Sequence, residues 1–160
     1  MFKIHTSANK WQESLLKEKG GPFKTKMDLY YIYFMTGIGL KLDKPPHPEY
    51  TKELSDINDS YPMEFSSSIR YKIAGLFLYR DMVNNNLPST DKSLVKKKIE
   101  DTFSKTDGNT FLEPEAIKQM NIYAFNGFNY IKDKVNVAPD SANFLVFYHR
   151  QIMPQLFKSN

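Results

Sequence analysis

The sequence predicts an all-α protein, a single-domain bundle of about six helices around a buried aromatic-rich helix, with one long proline-rich acidic loop. The 160 residues fit one compact domain, and 41% hydrophobic with 14% aromatic content supplies a core without disulfides or metal. Apolar side chains recur every three or four residues between capping and helix-breaking residues, which indicates helices. Sustained alternation flanked by hairpin turns, which would indicate strands, does not occur.

The first two helices are delimited by capping and stop signals. Ser7 can cap a helix over Ser7–Lys19, and Gly20 can end it. Thr25 can cap a second helix over Lys26–Gly37, where glycine ends the helix or lets a neighbouring backbone come close.

The second helix contains the most apolar part of the chain. Leu29–Leu40 holds 12 residues without a charge, bracketed by Asp28 and Lys41. A helix that crosses a bilayer needs roughly 20 apolar residues. We therefore predict a helix buried on nearly all sides within the domain, and no membrane partner.

A long loop, rich in proline and acidic residues, is predicted over Asp43–Phe65. Four of the nine prolines fall within it, and proline favours extended chain over helix. One helical turn near Thr51–Ile57 is compatible with the pattern. Long ordered loops in compact domains tend to be functional or mobile.

The remaining four helices follow this loop. The third is predicted over Ser67–Asn85, and because it is apolar on more than one face we expect it to be central. The fourth is predicted over Thr90–Phe103, with Thr90 as its cap, and the fifth over Pro114–Lys132. The sixth is predicted over Ser141–Phe157. Its expected inner stripe consists of Ala142, Leu145, His149, Ile152 and Leu156.

Composition and motif content argue against several functional classes. The chain has no cysteine, which excludes a disulfide scaffold, a cysteine nucleophile and thiolate metal sites. Its three histidines do not pair at metal-binding spacing, and glycine-rich phosphate loops and serine nucleophile elbows are missing. No catalytic residue, metal ligand or cofactor is therefore predicted.

A basic surface is the first candidate site. The net charge is +4, and basic residues are concentrated in the third and fourth helices. A phosphate-binding face there would consist of Arg70, Lys72, Lys92, Lys96, Lys97 and Lys98. The alternative is an ordinary solvated surface, which the scarcity of arginine favours.

The fifth helix carries the second candidate site, within the segment NIYAFNGFNYIKDK. A glycine and several asparagines in mid-helix lower helix propensity, and such departures tend to mark close packing or a site. A protein-binding surface there would consist of Tyr123, Phe125, Asn126, Asn129 and Tyr130. The alternative is a helix–helix crossing at which Gly127 admits a neighbouring backbone.

The functional hypothesis that follows is a non-enzymatic helical accessory subunit. It would dock to a larger multiprotein assembly, or associate with itself, through exposed aromatic residues. The Lys, Asn and Ile usage is typical of an AT-rich microbial genome. A microbial DNA-handling or defence system is a setting that is compatible with both docking and nucleic-acid binding. The amino-terminal residues lack the pattern of a signal peptide, and a cytoplasmic location is expected.

Two alternative functions are kept beside it. The first is nucleic-acid binding through the lysine-rich face, which would be weak and strongly salt-dependent. The second is a small enzyme whose acidic loop covers a pocket lined by Tyr30, Tyr33 and His149.

Overall fold

The computed structural model describes residues 1–58, 67–104, 110–135 and 138–158. It is mostly helical around a buried aromatic cluster, which confirms the predicted all-α bundle. Two strands are also present, Phe2–His5 (β1) and Leu54–Asn58 (β2). The α-helices are Asn9–Leu16 (α1), Lys26–Gly39 (α2), Ser67–Asn84 (α3), Lys92–Thr102 (α4), Pro114–Lys134 (α5) and Ser141–Phe147 (α6).

α2 and α5 form the centre of the bundle and cross at two glycines. A Cβ at Gly37 would lie 1.9 Å from the carbonyl oxygen of Tyr123. A Cβ at Gly127 would lie 1.9 Å from the carbonyl oxygen of Tyr33. Two backbones can approach this closely only where a side chain is missing. The interpretation of the fifth helix as a crossing that depends on Gly127 is therefore confirmed.

α2 is buried on nearly all sides, as its composition predicts. Tyr30, Tyr33 and Phe34 have no exposed surface. The Tyr33 ring meets Phe128 of α5 edge-on, with the ring centroids 5.2 Å apart. Such edge-to-face pairs add to the stabilisation that burial alone provides. Within the described ranges, no helix is both long and apolar enough to cross a membrane.

The start of α2 follows the predicted cap. The Thr25 hydroxyl accepts a hydrogen bond from the Asp28 N–H (3.3 Å), and the Asp28 carboxylate accepts one from the Thr25 N–H (2.8 Å). This reciprocal pair satisfies two backbone donors at a helix start. The cap of α4 is Asp91 and not the predicted Thr90, because the Asp91 carboxylate accepts hydrogen bonds from two N–H groups in the first turn.

The predicted loop over Asp43–Phe65 contains more structure than expected. A 3-10 helix covers Pro48–Glu53, and β2 follows it and pairs antiparallel with β1. The helical turn expected near Thr51–Ile57 is therefore misplaced, because the later part of that range is strand; residues 59–66 lie outside the described chain. The strands escape detection in the sequence because they have four and five residues and are separated by α1 and α2.

α3 lies at the side of the bundle, so the prediction that it is central is wrong. Its inner face buries Ile73, Ala74 and Phe77. The Phe77 ring lies 6.3 Å from the Phe34 ring of α2, centroid to centroid. α2 and α4 are its main helical neighbours among the described residues, and its other side is exposed.

The helix predicted over Ser141–Phe157 ends early. α6 stops at Phe147, a π-helical turn covers Tyr148–Ile152, and a 3-10 turn follows it. Ala142, Leu145 and His149 of the predicted inner stripe are exposed, because the inward side of this segment lies one residue earlier than predicted. Ile152 is buried, as predicted. The residues that are buried on this side are Ser141, Phe144, Tyr148 and Ile152.

Candidate interaction surface

The six residues of the predicted phosphate-binding face do not all reach solvent in the structure. Its exposed members are Lys72, Lys92, Lys96 and Lys97. Arg70 is half-buried and already makes a contact within the chain. Lys98 is turned towards the interior. The exposed lysines of α4 are interspersed with Glu100 and Asp101, which are also exposed and lower the local positive charge.

Lys98 belongs to a buried polar cluster. Its amine pairs with the Asp81 carboxylate at 2.5 Å, and Asp81 is only 2% exposed. The other carboxylate oxygen accepts hydrogen bonds from the Asn85 side chain (3.1 Å) and from the Tyr123 hydroxyl (3.3 Å). The cluster joins α3, α4 and α5. Lys98 is therefore removed from the phosphate-binding face.

Asp81, Asn85 and Lys98 of this cluster line a cleft of about 880 Å³. The acidic residues that line the cleft around Asp81 are Asp43, Glu100, Asp101, Glu113 and Glu115. Among the described residues, no group of three or more His, Asp or Glu side chains could hold a metal ion. Both oxygens of Asp81 are engaged within the chain, so its evident role is to hold three helices together.

Buried tyrosines make the fold sensitive to alkali. Burial, together with the negative charges of Asp81 and Asp43, raises the pKa of Tyr123 from 10.0 to about 12. Burial also raises the pKa of Tyr148. In the unfolded chain both tyrosines ionise near pH 10, so the folded state binds more protons above that pH. The free energy of unfolding then falls as the pH rises.

We expect the contribution of Tyr123 to this free energy to decrease from pH 10 through about pH 12, by up to about 1.4 kcal/mol per pH unit. Tyr148 changes the free energy in the same direction. Urea unfolding at a series of pH values measures it. Tyr123→Phe should make the decrease shallower, whereas Tyr79→Phe, at a residue 63% exposed, should not change it. A stability that stays constant across this range would contradict the expectation.

The predicted protein-binding surface of α5 is mostly occupied by contacts within the chain. Tyr123 has no exposed surface and Phe125 is 6% exposed. Asn126 donates to two backbone carbonyls of the segment after α2, at 2.8 Å each. Tyr130 donates to a glutamine that follows α6 (2.8 Å), and Asn129 is half-buried. Tyr123 and Phe125 are therefore corrected from docking residues to core residues.

The three residues of the alternative enzymatic pocket do not form one. Tyr30 and Tyr33 have no exposed surface. Burial raises the pKa of Tyr33, and its hydroxyl has no hydrogen-bond partner among the described residues. His149 is exposed on the π turn. Side chains sealed in the core and a side chain in solvent do not line a common cavity.

The exposed side of α3 carries large apolar side chains. Tyr79 is 63% exposed, Tyr71 is 55% exposed and Ile69 is 41% exposed. Helical spacing places them with their exposed or half-buried neighbours on the same side. We call this surface the α3 outer face, and it consists of Ile69, Tyr71, Lys72, Gly75, Leu76, Tyr79 and Val83. Lys72 is the single charged member of this set.

The α3 outer face has the character of a contact surface. Isolated apolar side chains are common on protein surfaces, whereas several of them on one side of a helix form a larger exposed apolar surface. One of its rings is already held in place, because Tyr71 stacks on Phe111 with the centroids 4.6 Å apart and the planes 17° apart. A side chain that is ordered in advance loses less entropy on binding.

Gly75 lies in the middle of the α3 outer face without an evident reason inside the chain. Glycine in mid-helix costs up to about 1 kcal/mol relative to alanine. A Cβ at Gly75 would meet none of the described residues within 4 Å. Packing among the described residues therefore does not require glycine here, in contrast to Gly37 and Gly127. The gap beside Gly75 leaves room for another molecule to approach the backbone of α3.

Sequence reasoning missed this face because a helix that is apolar on all sides is typical of the centre of a domain. The same pattern arises when one side of a helix packs against the core and the other against a second molecule. Which side of α3 is exposed is visible only in the structure.

Comparison with known proteins finds no matching family model, no similar curated protein and no similar solved structure. The function is therefore inferred from the chemistry of the surfaces.

Proposed function

We propose that this chain is a non-catalytic helical subunit that binds another protein through the α3 outer face. The observation that carries the proposal is the row of Tyr71, Gly75 and Tyr79, spaced four residues apart along α3, in which both tyrosines are exposed and the glycine is half-buried. Tyrosine is among the residues that contribute most to protein interfaces, because its ring is large, rigid and able to hydrogen-bond at one end. The glycine between the two rings allows a partner to approach the backbone.

The two tyrosines supply a substantial part of the binding energy. More than half of each is exposed, so covering both removes on the order of 200 Å² from water. At about 25 cal/mol per Å², this burial contributes about 5 kcal/mol. Association itself costs roughly 4–15 kcal/mol. The rest of the α3 outer face must therefore also contribute, and a partner that covers the whole of α3 fits this requirement best.

Nucleic-acid binding is the second candidate function. It is favoured by the exposed Lys72, which stands beside the two exposed tyrosines, and by Lys96 and Lys97 on the neighbouring helix α4. Exposed aromatic rings next to lysines can stack on unpaired bases while the amines neutralise phosphates. Glu100 and Asp101 on the same helix, and the inward turn of Lys98, count against it.

Tyr79→Lys tests the proposed function. In an extract of the cells that naturally produce the protein, the tagged wild-type chain is expected to migrate as part of a larger complex. The Tyr79→Lys chain is expected to migrate as a monomer, because a buried lysine amine in an apolar contact is strongly unfavourable. Gel filtration of both extracts measures the difference. The variant should fold normally, since Tyr79 is 63% exposed.

Val146→Lys is the matched control, because it places a lysine at another apolar residue that is 50% exposed, on α6. It is expected to leave the complex intact. A wild-type chain that is monomeric in the extract, or a complex that both variants disrupt equally, would contradict docking through α3. A complex that disappears when the extract is digested with nuclease would support the nucleic-acid alternative.

A further inference from the structure

Three of the seven glycines of the chain follow a tyrosine by four residues within a helix. These segments are Tyr33–Gly37 in α2, Tyr71–Gly75 in α3 and Tyr123–Gly127 in α5. Residues four apart lie on the same side of a helix. Each segment therefore places a tyrosine backbone and a glycine gap next to each other on one surface.

The segments of α2 and α5 fit each other reciprocally. The gap at Gly37 receives the Tyr123 carbonyl and the gap at Gly127 receives the Tyr33 carbonyl, each oxygen 1.9 Å from the missing Cβ. The contact pairs the later residue of one segment with the earlier residue of the other, so the helices run antiparallel. The two helices therefore make equivalent contacts, since each supplies one glycine gap and one tyrosine carbonyl. A segment of this kind is therefore complementary to a second copy of itself.

The third segment faces outwards. A Cβ at Gly75 would find open space to a distance of 4 Å, as far as the described residues extend. Tyr71 and Tyr79 stand four residues before and after it, 55% and 63% exposed. α3 thus presents to solvent the same kind of surface that α2 and α5 present to each other.

We infer that α3 of a second copy of this chain packs against the α3 outer face, so that two copies form a dimer about a two-fold axis. The inference rests on the proposed function, because it names the protein that covers this face. In the dimer, Gly75 of each copy receives the Tyr71 carbonyl of the other. Because both copies use the same surface, the interface is fully occupied in the dimer and no third copy can add to it.

The position of the two-fold axis follows from this pairing. If Gly75 meets Tyr71 of the other copy, the axis passes level with the middle of the Tyr71–Gly75 segment. Tyr79 then lies against the first turn of the other α3. The two Lys72 side chains, which lie on the same side of the helix as Gly75, come near each other across the axis.

The proximity of the two Lys72 amines gives the dimer a distinctive salt dependence. Like charges near the axis repel, and dissolved salt screens that repulsion. We therefore expect dimerisation to become tighter as the salt concentration rises. Binding of nucleic acid to the same lysines would become weaker, because it depends on the release of counterions.

Analytical ultracentrifugation of the purified chain over a concentration series tests the inference. We expect a reversible equilibrium between monomer and dimer, since an interface made by one 18-residue helix falls in the small, weak class. Gly75→Leu is expected to weaken the dimer at least tenfold, because its side chain fills the gap that the second backbone needs. We expect the monomer to tolerate the change, since a Cβ at Gly75 meets none of the described residues within 4 Å, and circular dichroism of the variant checks that it folds.

The absence of cysteine from the sequence permits a second, independent measurement. Lys72→Cys is expected to form a covalent dimer with a short bis-maleimide reagent, because the two cysteines come close across the axis. Lys10→Cys, at an exposed position on α1, is the control and should remain mostly monomeric. Equal crosslinking of the two variants would overturn the proposed geometry.

The outcomes for the dimer and for the proposed function can be told apart. A purified chain that stays monomeric well above micromolar concentration, or a dimer that Gly75→Leu leaves unchanged, overturns the dimer. If the purified chain is monomeric but Tyr79→Lys still abolishes a complex in the extract, a different protein covers the α3 outer face. If the chain is monomeric in both settings, the proposed function fails as well.

Discussion

Replacing Gly127 by alanine is expected to lower the free energy of unfolding by about 3 kcal/mol or more. The added methyl group would stand 1.9 Å from the Tyr33 carbonyl oxygen and 2.7 Å from the Gly37 nitrogen. Both atoms belong to the backbone of a buried helix, so α2 as a whole must move away from α5. Overpacking a core typically costs 1–3 kcal/mol, and separating the two central helices puts this case at the upper end or beyond. Domains are stable by only about 5–15 kcal/mol.

Gly75→Ala is the matched control for this prediction. It makes the same chemical change at the same position of a Tyr-x-x-x-Gly segment, but in open space. There the better helix propensity of alanine is expected to stabilise the monomer by about 0.5–1 kcal/mol. Urea unfolding followed by circular dichroism, at concentrations where the chain is monomeric, gives both values. Similar effects of the two substitutions would show that the crossing of α2 and α5 does not depend on glycine.

Replacing Lys98 by methionine is expected to cost about 3 kcal/mol of stability. The change removes the cation beside Asp81 and leaves a carboxylate that is 2% exposed with neutral donors only. Removing one member of a buried ion pair typically costs 3–5 kcal/mol. The lower figure applies because the Lys98 side chain is 28% exposed, so that water screens part of the interaction.

Lys97→Met is the control for Lys98, since Lys97 is the preceding residue and is exposed. A change at such a position is expected to alter stability by no more than about 0.5 kcal/mol. Denaturant unfolding of the two variants side by side measures the difference. The double variant Asp81→Asn with Lys98→Met should recover part of the loss, because it removes the stranded charge. If Lys97→Met and Lys98→Met behave alike, the pair with Asp81 does not stabilise the fold.

Features that depend on neighbouring residues in the sequence were predictable. The cap of α2 is an example, because Thr25 and Asp28 are three residues apart and bond to each other's backbone. The glycine crossing is another, because a glycine in mid-helix is unfavourable unless a neighbouring backbone needs the space. The sequence offered both Gly37 and Gly127 as places where a neighbouring backbone could come close, and the structure shows that they face each other.

Features set by contacts between distant segments were not predictable. Lys96, Lys97 and Lys98 are alike in the sequence, and only the position of Asp81 on another helix selects which one turns inward. His149 is exposed because the buried side of this segment runs through Phe144 and Tyr148, one residue before the predicted stripe. The exposure of α3 likewise depends on which of its apolar sides the core covers. Each outcome depends on where other helices pack, and periodicity carries no information on that.

The pairing of α2 with α5 also has a consequence for the nascent chain on the ribosome. α2 is complete at Gly39, whereas the helix that covers it begins only at Pro114 and ends at Lys134. At 5–20 residues per second, translation leaves this apolar helix without its cover for roughly 5 to 20 s. We expect nascent chains in this interval to depend on chaperones that shield apolar segments, and release to follow the emergence of α5.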